Sequence, residues 1–142
     1  MKKIILSMLM GVAAITAVNA QRVKSPFVPV TVKSALTAKY PAAADVSWEK
    51  EKGNYEANWG GKSGEDMSVQ FTPDGTFIEQ VVAIKVSDLP AGVFTYVKQH
   101  YKGVKITEAG KVTDAKGTLR YEAEVKGKDL VFDEKGNFLT QD

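Results

Sequence analysis

Cysteine is absent from the 142 residues. That excludes disulfides, thiolate metal sites and a lipid-modified cysteine at an export cleavage site, so stability has to come from packing alone. Histidine occurs once, at His100, and a single imidazole with no thiolate comes close to excluding zinc. Excess charge is missing as well. Of the 19 Lys and Arg residues, Lys2 and Lys3 precede Ala20, whereas all 17 Asp and Glu follow it, so residues 21–142 carry 17 of each sign. A neutral chain of interspersed signs gives no electrostatic footprint for nucleic acid or for an anionic membrane surface. No Gly-x-Ser-x-Gly elbow or phosphate loop is present either.

One apolar run is present, at the start. MKKIILSMLMGVAAITAVNA sets two lysines before a hydrophobic stretch and closes on Val18-Asn19-Ala20, a small-x-small site. Residues 1–20 are therefore expected to be a cleaved signal peptide, with no stable membrane insertion after cleavage and a periplasmic or secreted product. Residues 21–27, QRVKSPF, show no periodicity and are expected to form a flexible leader. Residues 28–142 are one domain's worth of chain, enough to bury roughly two-thirds of its unfolded surface.

Within that domain the sequence repeats. Val28-Pro29 returns as Leu89-Pro90, Tyr40 as Tyr101, Phe71 as Phe132, Gly75 as Gly136 and Phe77 as Phe138, each 61 positions on. The copies are placed at 28–86 and 87–140. Each opens on a helical stripe: Val32, Ala35, Leu36 and Tyr40 after Pro29, and Leu89, Val93, Val97 and Tyr101 around Pro90, with Ser87-Asp88 as the expected N-cap. Period-two segments follow. In the first copy these are Val46–Trp48, Tyr55–Trp59, Met67–Phe71 and Thr76–Val86; in the second, Val104–Val112, Leu119–Val125, Asp129–Phe132 and Phe138–Leu139. Tight Gly- and Asp-containing turns between them imply antiparallel neighbours. The expected fold is α+β: a helix and about four antiparallel strands, twice over, with helices on one face of the sheet.

Tyr-Glu-Ala occurs in both copies, as Tyr55-Glu56-Ala57 and Tyr121-Glu122-Ala123. Alternation sends Tyr and Ala toward the helices and Glu56, Asn58, Glu122 and Glu124 to the other side. Tandem Val/Leu-Pro helices ending in Tyr, the strand Trp48-Glu49-Lys50, the two Tyr-Glu-Ala strands and the turns Phe71-Thr72-Pro73-Asp74-Gly75 and Phe132-Asp133-Glu134-Lys135-Gly136 together resemble the PepSY-like, β-lactamase-inhibitor-like proteins exported by Bacteroides-type bacteria. The resemblance spans about residues 28–140. It implies paired helix-on-sheet repeats forming one curved sheet whose open face grips a partner enzyme. The disulfides of the well-studied inhibitors have no counterpart here, and Asp66 is not carried over as their inserted acidic hairpin residue.

Each chemical candidate has a plainer reading. Asp74 and Asp133-Glu134 lie in turns, where aspartate serves local hydrogen bonding, and neither loop supplies the ligand spacing of a calcium hand. His100 stands where the first copy has Lys39, a position that suits a solvated helix face better than a general base. Glu56 and Glu122 share a face and could form a glycosidase pair with Glu49, Glu51 or Glu124 nearby, but interspersed lysines and Arg120 fit cross-strand ion pairing on a wet face. Trp48 and Trp59 share parity with Tyr55 and Ala57, which favours core over interface. The expected function is thus non-catalytic, without cofactor or metal. A protein or peptide partner docks on the open polar face through Glu56, Asn58, Gln70, Arg120, Glu122 and Glu124, with inhibition of an enzyme as one form. A periplasmic carrier or sensor of a small ligand, which would need a concave apolar pocket, is the alternative, and a small glycoside hydrolase the third reading.

Overall fold

The structure, a computed structural model, describes residues 20–142; the expected signal peptide lies almost wholly outside the described residues. It is α+β, with two helices and nine strands whose order follows the chain without a crossover. The strands are β1 (Gln21–Val23), β2 (Ser47–Glu51), β3 (Asn54–Trp59), β4 (Met67–Phe71), β5 (Phe77–Ile84), β6 (Glu108–Asp114), β7 (Leu119–Val125), β8 (Lys128–Asp133) and β9 (Phe138–Gln141). Helix α1 runs Val30–Lys39 and α2 Ala91–His100. Two compact units divide between Gln80 and Val81, inside β5.

In the first unit, residues 20–80, β1 to β4 pair antiparallel in sequence. Tyr55 faces Phe71 and Ala57 lies between Trp48 and Val69. The side chains that alternation sends to this face form one cluster with Val32 and Leu36 of α1, and Ala57 and Val69 are completely buried there. The second unit, residues 81–142, repeats the plan. Val93 and Val97 of α2 share a cluster with Ala109, Ala123, Val125, Leu130 and Phe132. Tyr96 lies edge-on to Phe132, their ring centroids 5.5 Å apart. Trp48 is buried, and Trp59 packs on the same cluster with its ring 5.3 Å from Tyr40. Both tryptophans lie on the helix side of the strands, as their parity indicates, Trp48 buried and Trp59 half-buried.

The 61-residue recurrence has a steric cause. Gly75 and Gly136 end three-residue hairpin loops in which Gly75 N–H donates to Thr72 O at 2.9 Å and Gly136 N–H to Asp133 O at 3.0 Å. Both glycines are left-handed, with φ of +86° and +87°. Each loop tip also touches the first turn of its unit's helix. A Cβ on Gly75 would lie 2.7 Å from Thr31 O, and one on Gly92, the counterpart of Thr31, would lie 2.6 Å from Gly136 O. Thr31 further donates its hydroxyl to Pro73 O at 2.8 Å. At Gly75 in the first unit, and at Gly92 and Gly136 in the second, helix start and hairpin tip leave no room for an added side chain.

Several local expectations are corrected. Residues 21–27 are not a flexible leader. Gln21, Arg22 and Val23 pair with Lys50, Glu49 and Trp48, and Ser25–Phe27 forms a 3-10 turn. Edge pairing uses backbone groups, and three residues are too few for a side-chain period to register. Ser87 and Asp88 lie in a second 3-10 turn, Val86–Asp88, while Pro90 occupies the cap position without a side-chain cap bond. Proline's fixed φ orients the entry of each helix, at Pro29 as at Pro90. Finally, β6 begins at Glu108, leaving Val104–Thr107 outside any strand.

Gly75→Ala and Gly136→Ala are each expected to lower the unfolding free energy by about 2 kcal/mol, combining left-handed strain with displacement of a backbone contact. Gly53→Ala, with φ of +84° but nothing within 4 Å of the added carbon, should cost only about 1 kcal/mol. Urea midpoints of the three variants test the ordering.

Candidate partner-binding face

The face opposite the helix in the first unit is built from β1 to β4. Register sets Arg22 beside Glu49, Glu49 beside Glu56 and Glu56 beside Gln70, with Ser47, Asn58 and Ser68 forming the next row. Glu51 shares the parity of Glu49. In the second unit Glu108 lies beside Glu124 and Glu124 beside Asp129, while Gly110, Glu122 and Val131 form the next row and Val112, Arg120 and Asp133 the one after. Arg120 Nη2 reaches Asp114 Oδ2 at 3.3 Å, and Thr107 donates its hydroxyl to Glu124 Oε1 at 2.9 Å. Gly110 is glycine for a reason: an added Cβ would meet Val81 Cγ1 at 2.8 Å. Thus Glu56, Asn58 and Gln70 come together in one unit, and Arg120, Glu122 and Glu124 in the other, each set on the side that alternation indicates.

Their accessibility differs from expectation. The face was expected to be open and wet, but Glu56 is 4%, Asn58 7%, Gln70 8%, and Glu122 and Glu124 each 5% exposed, with Arg120 half-buried. Alternation fixes the side to which a residue points and says nothing about how deeply that side is covered. Glu49, Glu51 and Asp129 are buried too. So is Glu79 at 1% exposure, a residue that sequence reasoning missed; its one signal is a lone carboxylate within the run Phe77-Ile78-Glu79-Gln80-Val81.

Burial has an electrostatic consequence. Loss of water raises the Glu56 carboxyl from 4.5 to about 7; hydrogen bonds from Asn58 and Ser68 pull it down, and the charges of Glu49 and Glu51 push it up. The turn aspartates behave oppositely. The Thr72 hydroxyl, followed by Thr76, holds Asp74 low, and the Asn137 side chain, followed by its backbone N–H, holds Asp133 low. These are the local turn bonds that the plainer reading of both residues requires. His100 lies on the exposed side of α2, its Nδ1 2.9 Å from Tyr96 O and its ring stacked on Tyr96. Among the described residues no group of three His, Cys, Asp or Glu side chains could hold a metal ion, and no helix is long and apolar enough to cross a membrane.

A carboxyl whose folded-state pKa is raised stabilises the fold when protonated, and that contribution fades as pH climbs through the folded value. For Glu56 the window runs from about 4.5 to about 7. Glu56→Gln should therefore remove this fall and leave the chain more stable than wild type at pH 8, by an amount of order 3 kcal/mol. Denaturant unfolding at pH 5 and pH 8 measures both quantities; equal stabilities of the two proteins at pH 8 would contradict a desolvated carboxylate.

Comparison with known proteins agrees with this architecture. The sequence model of the family described as "Putative beta-lactamase-inhibitor-like, PepSY-like" matches twice, over residues 14–79 and 63–140. Three similar crystal structures come from Bacteroides. A protein from B. eggerthii described as periplasmic is 24% identical, with a TM-score of 0.69 over 82% of this chain and 88% of its own. A DUF2874 family protein from B. uniformis is 21% identical, with a TM-score of 0.68 over 82% and 89%. A BLIP-like protein from B. fragilis is 22% identical, with a TM-score of 0.60 over 80% and 85%. No curated protein matches the chain. The double family match and the paired helix-and-strand units show that this chain belongs to the PepSY-like, β-lactamase-inhibitor-like family.

Proposed function

We propose that the protein is an exported, non-catalytic binding module that docks a protein or peptide on the polar face of its strands, where the buried Glu56, Asn58 and Gln70 in the first unit and the buried Glu122 and Glu124 with half-buried Arg120 in the second set the charge beneath the contact surface. The supporting observation is the sign of that face. Glu49, Glu51 and Glu56 accompany Arg22 in the first unit, and Glu108, Glu122, Glu124 and Asp129 accompany Arg120 in the second. Carboxylates outnumber cations on both, although the chain after residue 20 is neutral. A partner segment carrying lysine or arginine offers the complementary charge, and complementarity of this kind steers encounter and fixes register.

Buried carboxylates also supply selectivity. Glu56 is protonated on average at pH 6 and ionised above pH 7, so a cationic side chain that docks beside it has to draw the proton off at the lower pH. Affinity should then rise from pH 6 to pH 8. Export agrees with the apolar, lysine-headed start of the sequence and with the description of the B. eggerthii relative as periplasmic. Enzyme inhibition, suggested by the BLIP-like relative, is one form that such docking takes.

The triple variant Glu56→Gln, Glu122→Gln, Glu124→Gln should fold, because it removes charge from buried positions while keeping shape. Affinity capture from periplasmic extract, with identification by mass spectrometry, should recover a partner with the wild-type chain at pH 8 and at least tenfold less with the variant. Undiminished capture by a folded variant would overturn the assignment of this face.

A further inference from the structure

A cavity of about 480 Å3 opens in the second unit, lined by none of the residues on the polar face. Phe94, Val97 and Lys98 line it from α2 and Tyr101 from the residue that caps the helix; the spacing of three and four places the helical residues on a single stripe. Val86 and the non-strand segment Gly103–Ile106 complete the wall. The volume falls within the range of small-molecule sites, and the lining has their usual character, mostly apolar with a few polar groups. Phe94 is 39% exposed, and Lys98 and Lys105 are exposed at the rim. Neither lysine has an acidic partner among the described residues.

The first unit provides an internal control. Under the 61-residue shift, Val97 and Tyr101 correspond to Leu36 and Tyr40, so the residues that seat the helix are kept in kind. The lining is not. Lys33 replaces Phe94, Thr37 replaces Lys98, and Ala42-Ala43-Ala44-Asp45 replaces Gly103-Val104-Lys105-Ile106. Lys33 Nζ also donates to Ser25 O at 3.4 Å, at the counterpart of Val86. Val86, Val104 and Ile106 also pack against the core cluster of the second unit, whereas Phe94, Lys98 and Lys105 do not belong to that cluster, and the first unit seats its helix with Lys33, Thr37 and Ala44 in their places.

The geometry points to a binding site for an amphiphilic monoanion, with an apolar chain lying against Phe94, Val104 and Ile106 and the anionic head held between Lys98 and Lys105. The shared chemistry is a single acyl-type chain ending in a carboxylate or phosphate ester, whether free in solution or part of a lipid. Burial of an apolar chain supplies the affinity, and the two ammonium groups select the sign of the head.

Isothermal calorimetry on the full chain with sodium decanoate below its micellar concentration tests the site, with 1-decanol, decyltrimethylammonium and anionic phosphatidylglycerol vesicles as comparison arms. Decanoate is expected to bind one per chain. Lys98→Glu with Lys105→Glu should weaken decanoate at least tenfold and leave decanol within about twofold, while Phe94→Ala should weaken both. Both lysines are exposed, so the double variant should retain wild-type circular dichroism and, with the polar face untouched, unchanged partner capture. Failure of decanoate to bind, equal affinity for decyltrimethylammonium, indifference to the lysine substitutions, or attachment to vesicles without binding of free decanoate would each overturn the proposal.

Discussion

Each helix of this protein lies against its strands only because particular atoms are missing. At the loop tips, Gly75 and Gly136 bring their backbone within a carbon's width of the first turn of α1 and α2, and Ala57 and Ala123, both fully buried, share a cluster with the apolar stripe of each helix. A Cβ on Gly75 or Gly136 would press on that first turn, and a larger residue at fully buried Ala57 or Ala123 would overpack its cluster, at a cost of about 1–3 kcal/mol. The repeated Tyr-Glu-Ala and Phe-x-x-x-Gly phrases record that constraint: Tyr and Phe fill the space around the small residue.

The same alternation that satisfies one face determines the other. With Tyr and Ala committed to the helix side, the intervening positions of β3 and β7 are Glu56, Asn58, Arg120, Glu122 and Glu124. The result is a set of carboxylates held at low exposure, which packing alone would not select. Desolvation of an anion opposes folding, and the raised titration of Glu56 expresses that opposition. The two apolar clusters on the helix side of the strands offset that cost.

Much of this was legible in the sequence, for physical reasons that also set the limits. Helix and strand periods, the proline at each helix start and the glycine that closes each hairpin are local properties, so α1, α2, eight of the nine strands and the side on which Glu56 and Glu122 lie could be read directly. Features set by encounters distant in sequence could not. β1 is held by backbone bonds to β2, and the depth of burial on the polar face follows no alternation. Val104 and Ile106 look like strand residues by composition, yet the strand starts only at Glu108. The nearest signal for them was that their counterparts in the first copy, Ala43 and Asp45, are not β-formers.

Duplication makes such comparisons informative. Two copies that solve one packing problem should agree wherever the solution is unique and drift wherever it is not. Agreement is found at Tyr40 and Tyr101, Phe71 and Phe132, and Gly75 and Gly136, all of them bound up with helix seating. Had drift been neutral, it would have replaced surface residues with other solvated ones. The second copy instead leaves Phe94 39% exposed beside the half-buried Val104 and Ile106, and the exposed part of that ring carries a free-energy cost that a polar residue at the same helix position would avoid. Because the first copy fills that position with Lys33 and folds on the same plan, the cost arises from something other than the architecture, and the separation between scaffold and site falls where the two halves of the sequence stop agreeing.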